Sequence, residues 1–191
     1  MDSELAESVV AFKDVFGRRA IPATFGEASP ETVERLKGTW GAPLRYRSFL
    51  LSTDPFDVET VTPVERVRLI PSSELASAQL TDEHGNALVQ GWRRSWVVIG
   101  QSTVFGNPYF LDVGELDPEG DCPVFTTEAG SDSLKPVLCA STFRQFLRIL
   151  AVTMEAAAEF DDDVDEDEFR GALEPRVGAI DPAALRAGHW T

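Results

Sequence analysis

Few residues in this chain are equipped for chemistry, and their spacing narrows what that chemistry is. His84 and His189 are the only imidazoles, one in a turn-like stretch and one close to the C-terminal end of the sequence. A serine nucleophile needs a base in hydrogen-bond reach and an acid that orients the base, and two histidines so placed do not predict a Ser-His-acid triad. Cys122 and Cys139 stand 17 residues apart with no second Cys or His nearby to complete a metal-ligand set. They read as free buried thiols of a reducing compartment. With 32 acids in the chain, carboxylate pairs arise by chance, so an acid–base pair separated in pKa by its surroundings is not singled out. Gly100 to Gly106 lacks a Walker lysine and precedes a strand, which predicts a hairpin turn and not a phosphate cradle. The run Asp161 to Glu168 has seven acids in eight residues, without the glycine and spaced glutamate of a calcium loop. Mutual repulsion predicts an exposed link there. Trp92, Arg93, Arg94 and Trp96 form the only basic aromatic cluster. Such residues either grip a partner or divide into a core tryptophan and a solvated strand entry. No catalytic residue, metal ligand or cofactor is predicted.

Around these residues the pattern predicts an α+β fold. Leu5, Val9, Phe12, Val15 and Phe16 repeat at helical spacing up to Gly17, where the first helix is expected to stop. Ser29-Pro30-Glu31 has the cap, proline and acid order of a second helix, to about Lys37, and Pro43 to Ser52 suits a third. Val64 to Pro71 alternates as a half-buried strand, Ser72-Ser73-Glu74 starts a short helix, and Thr81 to Asn86 is a turn or loop. Trp96 to Ile99, Pro108 to Val113, Cys122 to Thr127 and Val137 to Cys139 read as strands too close in sequence for parallel pairing. In the second of them Tyr109, Leu111 and Val113 face one way, Phe110 and Asp112 the other, with unequal burial expected. Thr142 and Gln145 have capping-box spacing ahead of Phe143, Phe146, Leu147 and Leu150, which predicts a helix to about Phe160. After the acids, Phe169, Leu173, Pro182, Leu185 and Trp190 predict one or two short helices returning to the body.

At 191 residues and 43% hydrophobic content the chain suits one domain. It has no apolar run near the roughly 20 residues of a membrane span. Met1 to Glu7 carries acids where a secretory signal needs a basic start, so the cytoplasm is the expected compartment. Residues 1–110 hold 14 acids and 11 bases, residues 111–191 hold 18 and 6, and the whole carries a formal charge of −15. Such a surface repels nucleic-acid phosphates and anionic membranes and favours a basic partner.

The order Trp96-Val97-Val98-Ile99-Gly100, Gly106-Asn107-Pro108-Tyr109-Phe110-Leu111-Asp112, Pro123-Val124-Phe125 and Ala140-Ser141-Thr142-Phe143-Arg144-Gln145-Phe146-Leu147 resembles the SUKH superfamily. Pro43-Leu44-Arg45-Tyr46-Arg47-Ser48-Phe49-Leu50 is similar to its earlier helix. The resemblance covers roughly residues 30–150. The family often has Asp where Asn107 stands, and a His and a Trp where this chain reads Glu128-Ala129-Gly130 and Leu134.

The resemblance implies a single α+β domain, a mainly antiparallel sheet with helices on one side, over residues 1–160. An acidic link at 161–168 and a helical extension at 169–191 packing back on the domain complete the expected organisation. It also implies a non-enzymatic protein-binding role, that of a bacterial immunity protein neutralising a toxin, or of a regulatory adaptor like the fungal cell-wall-assembly regulators. A small carboxylate hydrolase is the remaining alternative. The partner is expected to be another protein, a basic toxin domain, with the oligomeric state open. Candidate contacts are Trp92, Arg93, Asn107, Asp112 and Glu128, together with the acids Asp161, Asp162, Asp163, Asp165 and Glu166.

Overall fold

Short apolar strands separated by turn residues can satisfy their backbones only by pairing with chain neighbours, and that logic sets the architecture. The computed structural model describes residues 1–82, 84, 86–128, 134–160 and 164–191. The chain opens with helix α1 (Ser3–Arg19), strand β1 (Thr24–Gly26), and helices α2 (Pro30–Trp40) and α3 (Leu44–Thr53). Strands β2 (Asp54–Asp57), β3 (Glu59–Val61) and β4 (Arg66–Leu69) and the one-turn helix α4 (Leu75–Ala78) follow. Then come β5 (Trp96–Ser102), β6 (Pro108–Asp112), β7 (Val124–Thr127), β8 (Pro136–Ala140), α5 (Phe143–Ala157), α6 (Glu166–Ile180) and α7 (Pro182–Arg186). β3 to β8 form a six-stranded antiparallel meander in chain order, and β1 pairs with β2 in a separate ribbon. The fold is α+β, as expected.

The β5–β6 register pairs Val98 with Phe110 and then slips, so that Gly100 meets Tyr109 and Ile99 is left as the bulge. On the other edge of Val98 no strand pairs among the described residues. The buried Gln79 side chain stands in, donating Nε2–H to the Val98 carbonyl (3.0 Å) and accepting the Val98 N–H (2.9 Å).

Side chains of β6 alternate as expected, but both faces are buried: Tyr109 is 1% exposed and Phe110 0%. Tyr109 packs on Phe146 of α5, with α1, α3 and α6 against that helix. Phe110 is covered instead by Trp92, Trp96 and Phe125, at ring distances of 4.8, 4.7 and 6.0 Å. The expected inequality fails because the loop ahead of β5 folds its tryptophan over the face that helices leave open.

Helix α5 is the centre of the molecule. Thr142 accepts the Gln145 N–H as the capping box predicts, and Phe143, Phe146, Leu147, Ile149, Leu150 and Met154 are all buried. Each such side chain contributes about 1.5–3 kcal/mol through burial. Helix α1 was expected to stop at Gly17 but continues to Arg19, turning at Ala20 with φ 53°. The cause is tertiary: Arg19 donates to the carbonyls of Met154 (2.9 Å) and Val61 (3.2 Å), which holds the last turn against α5 and the sheet.

The acidic run is corrected in its second half. Asp165 is the N-cap of α6, and Glu166, Asp167 and Glu168 form its first turn, where the positive end of the helix dipole favours acids. The returning helix is also not short, at 15 residues. It and α7 are tied down by Asp181, which accepts from Ser141 N (2.5 Å) and Oγ (3.1 Å) while capping α7, and by Trp190 Nε1, which donates to the Cys139 carbonyl (2.8 Å).

Arg45 fastens the start of α5 as well. Its guanidinium is buried and donates to Asp2 (3.0 Å), Asp121 (3.3 Å), Glu119 (2.6 Å) and Glu4 (3.5 Å). Asp121, 0% exposed, also accepts the backbone N–H groups of Phe143 (2.8 Å) and Cys122 (2.9 Å). Burial pushes the Asp121 carboxyl up from its usual range, against the downward pull of those amides and of Arg45.

Candidate functional site

The turn between β3 and β4, Thr62-Pro63-Val64-Glu65, carries a carboxylate into the molecule. Thr62 Oγ1 donates to the Glu65 carbonyl (2.6 Å) and accepts the Glu65 N–H (3.0 Å), so the corner is fixed by its own side chain. The Glu65 carboxylate accepts from Ser102 Oγ (2.8 Å), Arg66 N (2.8 Å) and Tyr109 OH (3.2 Å). Tyr109 in turn lies 3.1 Å from His189 Nε2. A phenol has one proton, so while Tyr109 donates to Glu65, a neutral His189 with its proton on Nε2 donates to Tyr109.

Arg170 of α6 fixes the histidine. Its Nη1 donates to the carbonyls of His189 (3.0 Å) and Thr191 (3.3 Å), and its Nε donates to Glu166 (2.9 Å). Burial, and then the charge of Arg170, lower the His189 pKa to about 4. Burial pushes the Tyr109 phenol well up, with Cys139 and Glu65 adding to it.

These groups separate two hollows. The inner one, against Val67, Leu150, Phe169 and Leu173, is about 20 Å³, room for about one water. The outer one is an open groove of about 320 Å³, walled by Glu65, Arg170 and His189, by Thr126, Thr127 and Val137 of β7 and β8, and by Phe105, Asn107 and Glu128. Asn107 Nδ2 donates to the Thr127 carbonyl (2.9 Å) and pins the β5–β6 turn to β7. Phe105 is 56% exposed at the mouth. Among the described residues no group of three or more His, Cys, Asp or Glu side chains is placed to hold a metal ion.

The candidate contacts expected from the sequence do not share one surface. Asn107 and Glu128 line the groove, and Glu166 meets it through Arg170. Arg93 lies on the other face of the sheet, its guanidinium 5.1 Å from the Trp96 ring. Trp92 and Asp112 are corrections: at 5% and 4% exposure they are core, Trp92 packed on Phe110 and Asp112 accepting the Trp96 Nε1–H (2.9 Å). Asp165 is spent as a helix cap, and Asp161, Asp162 and Asp163 lie outside the described residues. The sequence does not single out Glu65 or Arg170, and by its pattern Tyr109 reads as core and His189 as no base. One signal was present: in the alternation from Val64 to Pro71, Glu65 has the inward parity of Val67 and Leu69.

An antiparallel meander backed by helices on one face, with a polar groove at its edge, defines a single-domain α+β protein. The chain belongs to the SMI1 / KNR4 family (SUKH-1), whose model matches residues 27–149. No curated protein and no solved structure matches it. Glu65, Phe105, Asn107, Tyr109 and Glu128 fall inside the matched span, whereas Arg170 and His189 fall beyond it.

Proposed function

We propose that this chain is a protein-binding domain of the immunity kind, which occupies and neutralises a basic toxin domain in the bacterial cytoplasm. Family membership carries the reading. Charge supports it: 18 acids against 6 bases over residues 111–191 attract a cationic surface and raise the rate of encounter.

Convergence of Glu65, Tyr109 and His189 on a groove is the observation that favours a hydrolase, and the same geometry weighs against it. A base of pKa about 4 is poorly matched to proton abstraction at neutral pH. Ser102, the hydroxyl nearest in the network, is 1% exposed and already donates to Glu65 while accepting the Phe105 N–H. The arrangement holds a surface in shape better than it attacks a bond.

The test is capture, by the purified chain, of the product of a basic-toxin gene found beside its own, with association measured from 50 to 500 mM salt. The expected result is a stoichiometric complex whose on-rate falls by tenfold or more over that range and slows when Asp161, Asp162 and Asp163 are reversed to lysine. Failure to bind that product, together with turnover of a substrate lost in a single Glu65 or His189 variant, overturns the reading. Binding to a cell-wall regulatory protein instead assigns the adaptor role.

A further inference from the structure

Among the described residues the Glu65 carboxylate is met by neutral donors alone. Its three donors, Ser102 Oγ, Arg66 N and Tyr109 OH, are all neutral, and no Lys or Arg among the described residues pairs with it. The one guanidinium that shares its groove, that of Arg170, is committed to Glu166 and to two carbonyls. A half-buried carboxylate in that state is costly unless it is exposed to water or paired. Here it faces an open groove of about 320 Å³, at the small end of ligand sites.

The rest of the lining selects what fits. Asn107 gives one of its two amide hydrogens to the Thr127 carbonyl, and its oxygen stands as an acceptor. Glu128 stands at the mouth with its side chain 51% exposed, only 3.9 Å from Lys135 as an ion pair. Phe105, 56% exposed at the same mouth, offers a flat face to a planar cation and its methylene stem. Acceptors on several sides and an aromatic face match a guanidinium, with five donors in one plane, better than a compact ammonium. An anion is repelled by Glu65, and a neutral aliphatic chain leaves the carboxylate unpaired.

We propose that this groove is the anchor site for an arginine side chain of the protein partner, with Glu65 as its counterion, Phe105 stacking on it, and Asn107 and Glu128 accepting at the mouth. The proposal rests on the protein-binding reading and deepens it, since it names the partner's contacting group.

The probes are acetyl-Gly-Arg-Gly-amide and its citrulline counterpart, equal in shape and without charge. Each is titrated into the full chain while the Trp190 indole N–H and the amides of Phe105 and Asn107 are followed by NMR. The expected result is saturable binding of the arginine peptide near about 1 mM, at least tenfold weaker with citrulline, and at least tenfold weaker in Glu65→Gln. Phe105→Ala, an exposed position that does not risk the fold, is expected to weaken it about threefold or more. Equal shifts with citrulline, no saturation by 20 mM peptide, or binding indifferent to both substitutions overturns the proposal. Toxin capture undiminished in Glu65→Gln and Phe105→Ala sinks the anchor and spares the immunity reading. Arginine-peptide binding in a chain that captures no toxin does the reverse.

Discussion

Two parts of this molecule handle buried charge in opposite ways. At one, Arg45 is 5% exposed and surrounded by Asp2, Glu4, Glu119 and Asp121, so each of its three guanidinium nitrogens donates to an anion. At the other, Glu65 is met among the described residues only by neutral donors and opens on a groove. Closed electrostatics fasten elements together: Arg45 joins α1, α3, the β6–β7 loop and, through Asp121, the start of α5. Open electrostatics leave an interaction to be completed from outside.

The sharpest way to break that contrast is Arg45→Met. Asp2, Glu4 and Glu119 have side chains 44–56% exposed and turn to water, but Asp121 stays buried without a counterion, which costs about 3–5 kcal/mol in urea unfolding. Next in size is the acid response of His189. Its folded pKa of about 4 lies below the reference 6.5, so between those values the unfolded chain binds the extra proton. Stability is therefore full above pH 6.5 and falls as pH drops towards 4, by on the order of 3 kcal/mol. His189→Gln removes that part of the slope. Asp121, pushed the other way, acts with opposite sign, so the difference between the two unfolding profiles is the readout. Ser102→Ala strips Glu65 of a donor and Phe105 N of its acceptor. It is expected to cost about 1–2 kcal/mol and to speed hydrogen exchange at Phe105. Glu65→Gln is the smallest: with no ion pair to lose, unfolding stability shifts by less than about 1 kcal/mol, and a loss as large as that of Arg45→Met erases the distinction.

Much of the frame was legible because it is local. The cap at Thr142, the proline start of α2 after Ser29 and the alternation of Tyr109 with Phe110 are settled by residues no more than four apart, and each stands where the pattern puts it. What was not legible is settled across the chain. Gly17 fails to end α1 because Arg19 reaches Met154, 135 residues away. Trp92 looks like a contact residue until Phe110 is found beneath it. Asp165 and Glu166 read as repelling charges when counted, yet cap and begin a helix whose buried Phe169, Leu173 and Val177 pull it onto the body. The groove unites a turn at Glu65 with a tail at His189, more than a hundred positions apart, and no periodicity connects them.

The groove is assembled from two provinces of the chain. Its carboxylate, aromatic lip and amide come from the span shared with the family, while the wall formed by Arg170 and His189 comes from beyond it. Part of the cleft's wall is thereby supplied from outside the scaffold that the family shares. Exposed tail residues that face the cleft, such as Thr191, can vary without touching the meander or its central helix.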